Sequence, residues 1–344
     1  MTDLAALTSF RVGGPARRLV TCASTDDLVA AALDVWADDE PWFVLGGGSN
    51  VLVADSGIDA TVLLVRSAGI DVLEESATSV RVRVAAGVSW DALVATALER
   101  GWSGLEPLSG IPGTVGAAPV QNIGAYGTEI ADVLTGIDFL DATTGAREWI
   151  GADDLGFGYR TSALKRGRAG IVLAVEFLLG RNGGLVPVRY AQLASALHVE
   201  LGTAADAAAV RETVLRLRAS KGMVLDRDDA DTWSAGSFFT NPIVSTAFAE
   251  TVPFDAPRWP VQDEPARVKL SAAWLIEQAG VPRGYALPGS RAAVSTKHTL
   301  ALTNRGGATA EEIAELARYI QARVFARFGV SLVPEPVAVG AFEV

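Results

Sequence analysis

The chain has 344 residues, length enough for two or three domains, and 49% of them are apolar, ample for a sizeable core. Its net charge of −11 argues against a nucleic-acid or membrane-surface binder, since both require basic patches, but leaves room for a small anionic ligand met by a few local Arg and Lys. The single cysteine, Cys22, and the two histidines, His198 and His298, exclude a disulfide framework, a cysteine-held zinc or iron–sulfur centre and a His-rich metal site, so no metal is expected. They also argue against a Ser-His-Asp hydrolase.

No window reaches 18 uninterrupted apolar residues, so no membrane span is expected. The opening MTDLAALTSFRVGG lacks a basic segment followed by an apolar one and does not read as a signal peptide, which makes a cytoplasmic location the expectation. From Thr8 to Pro15 the chain starts extended and ends in a Gly-Gly-Pro turn. Ser24 is placed to cap a helix to about Asp38, with Leu28, Ala31, Ala32 and Val35 on one face. Trp42 to Leu45 reads as a strand, followed by Gly46-Gly47-Gly48-Ser49-Asn50 and a second apolar run, Val51 to Ala54. This strand–glycine loop–strand order fits neither a P-loop nor a dinucleotide fingerprint, both of which open a helix. The loop can still form a nest of N–H groups suited to a pyrophosphate, although triple glycine is also a common turn.

Val80, Val82 and Val84 alternate with Arg81 and Arg83, the pattern of a half-exposed strand, and Ser89 is expected to cap a helix to about Arg100. Then comes GLEPLSGIPGTVGAAPVQNIGAYG, Gly104 to Gly127, rich in glycine and proline and carrying one formal charge, Glu106. Its apolar residues argue for order. Composition leaves two readings open: a cradle in which backbone N–H groups meet a large, partly anionic ligand, or a buried connection with several tight turns. Strands are expected at Gly136–Asp141 and Gly170–Leu179, with Phe157-Gly158-Tyr159-Arg160 and a basic loop, Lys165 to Arg168, between them. Arg181 to Ala191, which carries Tyr190, shows no periodicity and reads as a loop.

Ala205 to about Lys221 reads as an amphipathic helix with Val210, Val214 and Leu217 on its apolar face. Asp226 to Asp231 is an acidic connector leading to Gly236-Ser237-Phe238-Phe239-Thr240-Asn241-Pro242. A helix over Lys269 to Gln278 and a strand over Val294 to Asn304 follow. Thr309 and Glu312 form a capping-box pattern ahead of a helix with Ile313, Leu316, Ile320, Val324 and Phe328 on one face, stopped by Gly329. A last strand, Val330 to Val339, contains Pro334-Glu335-Pro336. The alternation of short strands and helices is α+β rather than a regular βαβ series.

Six segments together resemble one family: SFRVGGPA (9–16), VLGGGSNVLVAD (44–55), SGIPGTVGAAPVQNIGAYG (109–127), FGYR (157–160), GSFFTNP (236–242) and VPEP (333–336). In this order and spacing, over nearly the whole chain, they look like the UDP-N-acetylenolpyruvoylglucosamine reductases, in the first of that family's two subtypes, which has a tyrosine-bearing loop. The resemblance implies a two-subdomain FAD-binding fold of the vanillyl-alcohol-oxidase (PCMH) type plus a third α+β substrate-binding domain. The expected division is 1–66, then 67–205 with 330–344 returning, and 206–329 for substrate. It implies non-covalent FAD, NADPH as hydride donor and a sugar-nucleotide substrate; from the acidic charge balance no nucleic-acid partner is expected, and the expected state is a monomer.

The resemblance also implies the site. Gly46, Gly47, Gly48, Ser49 and Asn50, with Ser109, Pro112, Gly113, Thr114 and Gly116, would surround the FAD pyrophosphate, and Asn122 and Gly124 would lie near the flavin. Tyr126, Tyr159, Tyr190, Lys221, Asn241, Arg283 and His298 would contact the substrate; Arg283 stands where some relatives have Lys, and His298 where some have Gln. In the implied reaction NADPH reduces FAD, which then gives hydride to the terminal vinyl carbon of an enolpyruvyl ether. Ser237 would protonate C2, while Arg160 and Glu335 would bracket the substrate carboxylate and stabilise the developing enolate. Taken singly, Ser237 reads as a turn residue, Arg160 as a surface cation and Glu335 as part of an exposed edge. The rival from another reaction class is a flavin oxidase of the same superfamily, and a third reading is a non-catalytic flavin- or sugar-nucleotide-binding module.

Overall fold

The computed structural model describes residues 3–181, 184–261 and 264–342. The chain divides into two compact units, one of residues 16–48 and 59–224 and the other of 1–15, 49–58 and 225–344.

The first unit is built on a five-stranded antiparallel sheet, in the order Arg147–Gly151, Leu134–Asp141, Gly170–Gly180, Ser79–Ala85, Ile70–Glu75. The sequence explains the layering. Val80, Val82 and Val84 are buried while Arg81 and Arg83 point outward and pair with Glu176 on the neighbouring strand. Gly170–Gly180 is central, and its near-continuous apolar run is buried on both faces. A second sheet joins Ala16–Cys22, Ile58–Val65 and Trp42–Leu45, the last two in parallel. Helix Thr25–Ala37 covers it through Leu28, Ala32 and Val35. Ser24 does cap this helix, in a full capping box with Asp27.

The second unit packs helix Ala310–Phe328 against Leu275, Ile276, Leu302, Phe238, Phe239 and Phe10. Thr309 and Glu312 form the expected capping box, and Gly329 closes the helix in the left-handed conformation. The carboxylate of Asp55 also accepts the Ala310 and Glu311 N–H groups, at 2.8 and 3.0 Å. Thr309→Ala is expected to lower stability by about 1 kcal/mol, read as a fall in Tm, because one end donor loses its acceptor. Val337–Val339 runs parallel to Val51–Val53.

Local expectations fail at five places. Ser89 stands at the N-cap of Trp90–Glu99, but its side chain makes no cap bond. In the loop expected over 181–191, residues 182 and 183 lie outside the described set; Leu185–Pro187 forms a short strand with Ala204–Asp206, and Tyr190 is the N-cap of helix Ala191–Leu197. Lys269 and Leu270 belong to strand Glu264–Leu270, and the helix starts only after Ser271, whose hydroxyl accepts from Trp274 N–H. The strand expected over Val294–Asn304 is a hairpin, Ala292–Val294 against Leu302–Asn304, because Ser295 Oγ accepts from Lys297 and His298 N–H and turns the chain. Of Val330–Val339 only the last three residues join a ladder, since Pro334 and Pro336 have no N–H to give. No helix among the described residues is long and apolar enough to cross a membrane.

Candidate active site

In the first unit the two glycine loops touch each other. A Cβ on Gly47 would stand 2.6 Å from Gly113 Cα, and one on Gly46 would stand 2.4 Å from Thr114 Oγ1. Gly116 is pressed against Ala86 in the same way, at 2.5 Å. At Gly47 the approach is backbone against backbone, while at Gly46 and Gly116 a Cβ would meet the side chains of Thr114 and Ala86; glycine relieves all three. Among the described residues the N–H groups of Gly46, Gly47 and Gly113 donate to no protein acceptor. Two carbonyls on the same loops are occupied: Gly46 O accepts from Arg66 Nη1 at 3.0 Å, and Gly113 O from Trp90 N–H at 3.1 Å. Carbonyls engaged and amides available is the polarity that an anionic diphosphate requires. The cradle therefore fits the pyrophosphate of a dinucleotide such as FAD. Ser109 differs from expectation, since its buried hydroxyl donates to Glu106 O at 2.6 Å. Pro112 and Gly48 flank the contact in the same loops.

A second cluster of the same unit gathers around Asn122. Its Nδ2 donates to Glu129 Oε2 at 2.6 Å and to Gly158 O at 3.2 Å, and its Oδ1 accepts from Ala131 N–H at 3.3 Å. Arg160 is held in part by backbone carbonyls, Nη2 donating to Gly124 O at 2.7 Å and Nη1 to Asn122 O at 3.3 Å. Tyr159 stands beside it, its ring centroid 5.6 Å from the Arg160 guanidinium carbon. Asn122, Tyr126 and Arg160 all have positive φ, at 49°, 49° and 54°, among six non-glycine residues that do so in the described chain. Strain gathered on three expected site residues is the pattern of a pre-organised site.

The third cluster joins Tyr126, Tyr190 and Lys221. The two rings meet edge to face at 5.7 Å, and Lys221 Nζ lies 6.0 Å from the Tyr126 centroid and donates to Gln192 Oε1 at 3.0 Å. Burial, helped by the charge of Arg218, pulls the Lys221 ammonium below its ordinary range, and burial pushes the Tyr126 phenol up.

Three supporting residues were not singled out from the sequence. Asp91 accepts Gly110 N–H at 2.6 Å and a two-pronged Arg211, at 2.7 and 2.9 Å, so it ties helix Ala207–Ala219 to the glycine-rich stretch. Arg218, 9% exposed, donates to Met223 O at 2.9 Å. The readable signal was two arginines seven apart on the buried stripe that also carries Val214, where a solvated cation would not be placed. Burial alone would raise the Asp91 carboxyl, but the Arg211 hydrogen bonds, the Gly110 N–H and the charges of Arg211 and Arg218 outweigh it and hold it low. Its stabilising contribution is therefore present above the unfolded-chain value near about 3.9 and is lost as pH falls through the lower folded value. Arg211→Ala is expected to flatten the fall of Tm below about pH 4, as calorimetry across that range would show.

The second unit holds the remaining expected residues. Ser237 is half-buried, and the next residue is fixed on both sides: Phe238 N–H donates to Leu300 O at 2.7 Å, and Phe238 O accepts from Glu335 N–H at 2.8 Å. The 237–240 and 333–335 stretches thus run side by side, which brings Ser237 and Glu335 into one neighbourhood. Asn50 joins them, Nδ2 donating to Glu335 O at 3.3 Å, and Ser49 precedes it at the boundary of the unit. Glu335 is half-buried rather than exposed on an edge. Asn241 Oδ1 accepts Ala272 N–H at 3.0 Å and so helps to start helix Ala272–Gln278. His298 lies in the 295–301 turn, two residues before the carbonyl that holds Phe238, and Arg283 is exposed. Among the described residues no group of three or more His, Cys, Asp or Glu is arranged to hold a metal.

Comparison with known proteins places these clusters in context. The family described as FAD binding domain matches residues 16–150, and the C-terminal domain of UDP-N-acetylenolpyruvoylglucosamine reductase matches residues 228–339. A UDP-N-acetylenolpyruvoylglucosamine reductase of Leifsonia xyli is 51% identical over 99% of both chains. One of Mycolicibacterium smegmatis is 50% identical, over 98% of this chain and 94% of the relative. The crystal structure of a UDP-N-acetylenolpyruvylglucosamine reductase from Thermus caldophilus superposes with a TM-score of 0.67 over 98% of each chain, at 27% identity.

Proposed function

Because this chain belongs to the UDP-N-acetylenolpyruvoylglucosamine reductase family and is an FAD-dependent oxidoreductase, we propose that it reduces the enolpyruvyl group of UDP-N-acetylglucosamine enolpyruvate, with NADPH as electron donor, to give UDP-N-acetylmuramate for peptidoglycan. The observation that carries this reading is the 51% identity with a relative of that name over 99% of both chains. The glycine cradle of the first unit supports it, since its free N–H groups suit the diphosphate of the dinucleotide.

Bound FAD, once reduced, supplies the hydride that the vinyl carbon needs. The remaining demands fall on side chains. Hydride arrival builds negative charge on C2 and the attached carboxylate. Arg160 answers it with a planar, permanently charged fork, pre-oriented by the Gly124 and Asn122 carbonyls. Ser237 Oγ then gives its proton to C2. A hydroxyl is a weak acid, and it serves here because the acceptor is a strongly basic carbon. Glu335 assists as a proton donor or polariser when it is protonated, because a bare carboxylate would repel the enolate. Lys221 and Tyr190 bind the nucleotide diphosphate, with Asn241, Arg283 and His298 contributing around it and Tyr126 and Tyr159 lining the enolpyruvyl end.

The test is an absorbance experiment without oxygen. The purified protein is expected to be yellow, to bleach with NADPH and to regain colour on adding the enolpyruvyl sugar nucleotide. A protein that binds no flavin, or whose colour returns with oxygen alone and not with the sugar nucleotide, overturns the reading.

A further inference from the structure

Asp231 lies in the acidic connector ahead of Ser237 and is 5% exposed. Buried carboxylates need partners, and this one has several. Its Oδ1 accepts from Thr296 N–H at 2.8 Å and from Arg305 Nη1 at 2.6 Å, and its Oδ2 accepts from Thr296 Oγ1 at 2.5 Å. Thr296 belongs to the 295–301 turn, whose Leu300 carbonyl accepts Phe238 N–H at 2.7 Å. The stretch 231–238 is thus clamped at both ends onto the same seven-residue turn. Between the clamps, Trp233 O accepts Asn304 N–H at 3.0 Å and Ser234 Oγ accepts Gly236 N–H at 3.1 Å. Gly236 has a φ of 73°, in the left-handed region, and the chain bends there immediately before Ser237. Lys297 pairs with Asp229 alongside the first clamp.

We propose that Asp231, through Thr296 and Arg305, is the positioning residue that fixes Ser237 for proton delivery. The proposal rests on the reading of Ser237 as the proton donor to C2. A purely apolar packing of the loop would hold its average place. It would not fix the Oγ position to the fraction of an ångström that proton transfer requires, and an error of about 1 Å can cost 10²-fold in rate. The two clamps supply that restraint through directional bonds on either side of the serine. Arg305 neutralises the buried charge, so the carboxylate stays ionised and can accept from all its donors.

The experiment compares Asp231→Asn, Thr296→Ala and Thr296→Ser holoenzymes. In the first two, flavin reduction by NADPH is expected at the normal rate. Reoxidation by the enolpyruvyl sugar nucleotide is expected to slow roughly 10–100-fold, with a larger solvent isotope effect because proton transfer has become limiting. Thr296→Ser keeps both donors and is expected to restore wild-type behaviour. Independently of turnover, amide hydrogen exchange on Phe238 is expected to accelerate in Thr296→Ala, since the far clamp loosens with the near one. If Asp231→Asn and Thr296→Ala lower Tm yet leave the isotope effect and the reoxidation rate unchanged, the carboxylate is structural and the proposal fails. That outcome is distinguishable from failure of the underlying reading, which Ser237→Ala with undiminished turnover would reveal.

Discussion

Ser237→Ala is expected to lower turnover of the sugar nucleotide about 10²–10⁴-fold while leaving NADPH-driven bleaching of the flavin intact. The substitution removes one hydroxyl and little else. The backbone at Phe238 is held by the Leu300 carbonyl and the Glu335 N–H, so the loop keeps its course without the side chain. The loss then falls on a single event, protonation of C2. Stopped-flow absorbance separates the two half-reactions: bleaching with NADPH should match the wild type and recolouring with substrate should not. The loss exceeds that expected of a turn serine, whose replacement typically shifts stability by about 1 kcal/mol and leaves the chemistry untouched. Recolouring at the wild-type rate would move the proton donor elsewhere, with Glu335 the nearest candidate on the adjoining stretch.

What could be read from the sequence divides by the range of the interactions. Features set within a few residues are legible. The Thr309–Glu312 capping box, the Gly329 stop and the alternation of Val80, Val82 and Val84 all appear as read. The turn at Ser295 was also local, but the β-branched and apolar residues on both sides of it masked the hydroxyl that reverses the chain. Lys269 and Leu270 read as helical because nothing nearby reveals the strands they pair with, Ile243–Ser245 and Arg258–Val261. The glycine loops were legible as motifs, because a bare backbone that must touch another backbone leaves a compositional mark. Their supports left none. Arg211 reaches Asp91 across 120 positions and Thr296 reaches Asp231 across 65, so each pair exists only once the fold has formed. The supporting shell of a site is harder to read than its lining for that reason: its residues are ordinary Asp, Arg and Thr, and their meaning lies in a distant partner.

Gly47→Ala should weaken FAD binding by roughly 5–150-fold, the equivalent of about 1–3 kcal/mol of overpacking. The added methyl would sit 2.6 Å from Gly113 Cα and 3.0 Å from Gly113 C. Neither is the end of a flexible side chain, so the two loops must separate. Gly113 has little room to retreat, because its carbonyl is held by Trp90 N–H and the following Val115 and Gly116 N–H groups bond Val88 O and Ala86 O at 2.9 Å. Separation would spread the N–H groups of Gly46, Gly47 and Gly113, which on the proposed reading meet the diphosphate together. In the flavin-free protein the exposed Gly47 loop, which lies outside the strands, can swing away from Gly113 and relieve the clash, so Tm should change little, while FAD binding must draw the loops together again and Kd rises. Titrating stripped protein with FAD, followed by flavin fluorescence, measures the first quantity, and calorimetry on the same preparation measures the second. A variant that binds FAD as tightly as the wild type would mean that the loops meet only as a packing contact, and the diphosphate would have to be sought elsewhere. A fall in Tm equal in free energy to the loss of affinity would assign the glycine to folding instead. The expected pattern, lost affinity with retained stability, is the one that a cradle built from backbone alone must give.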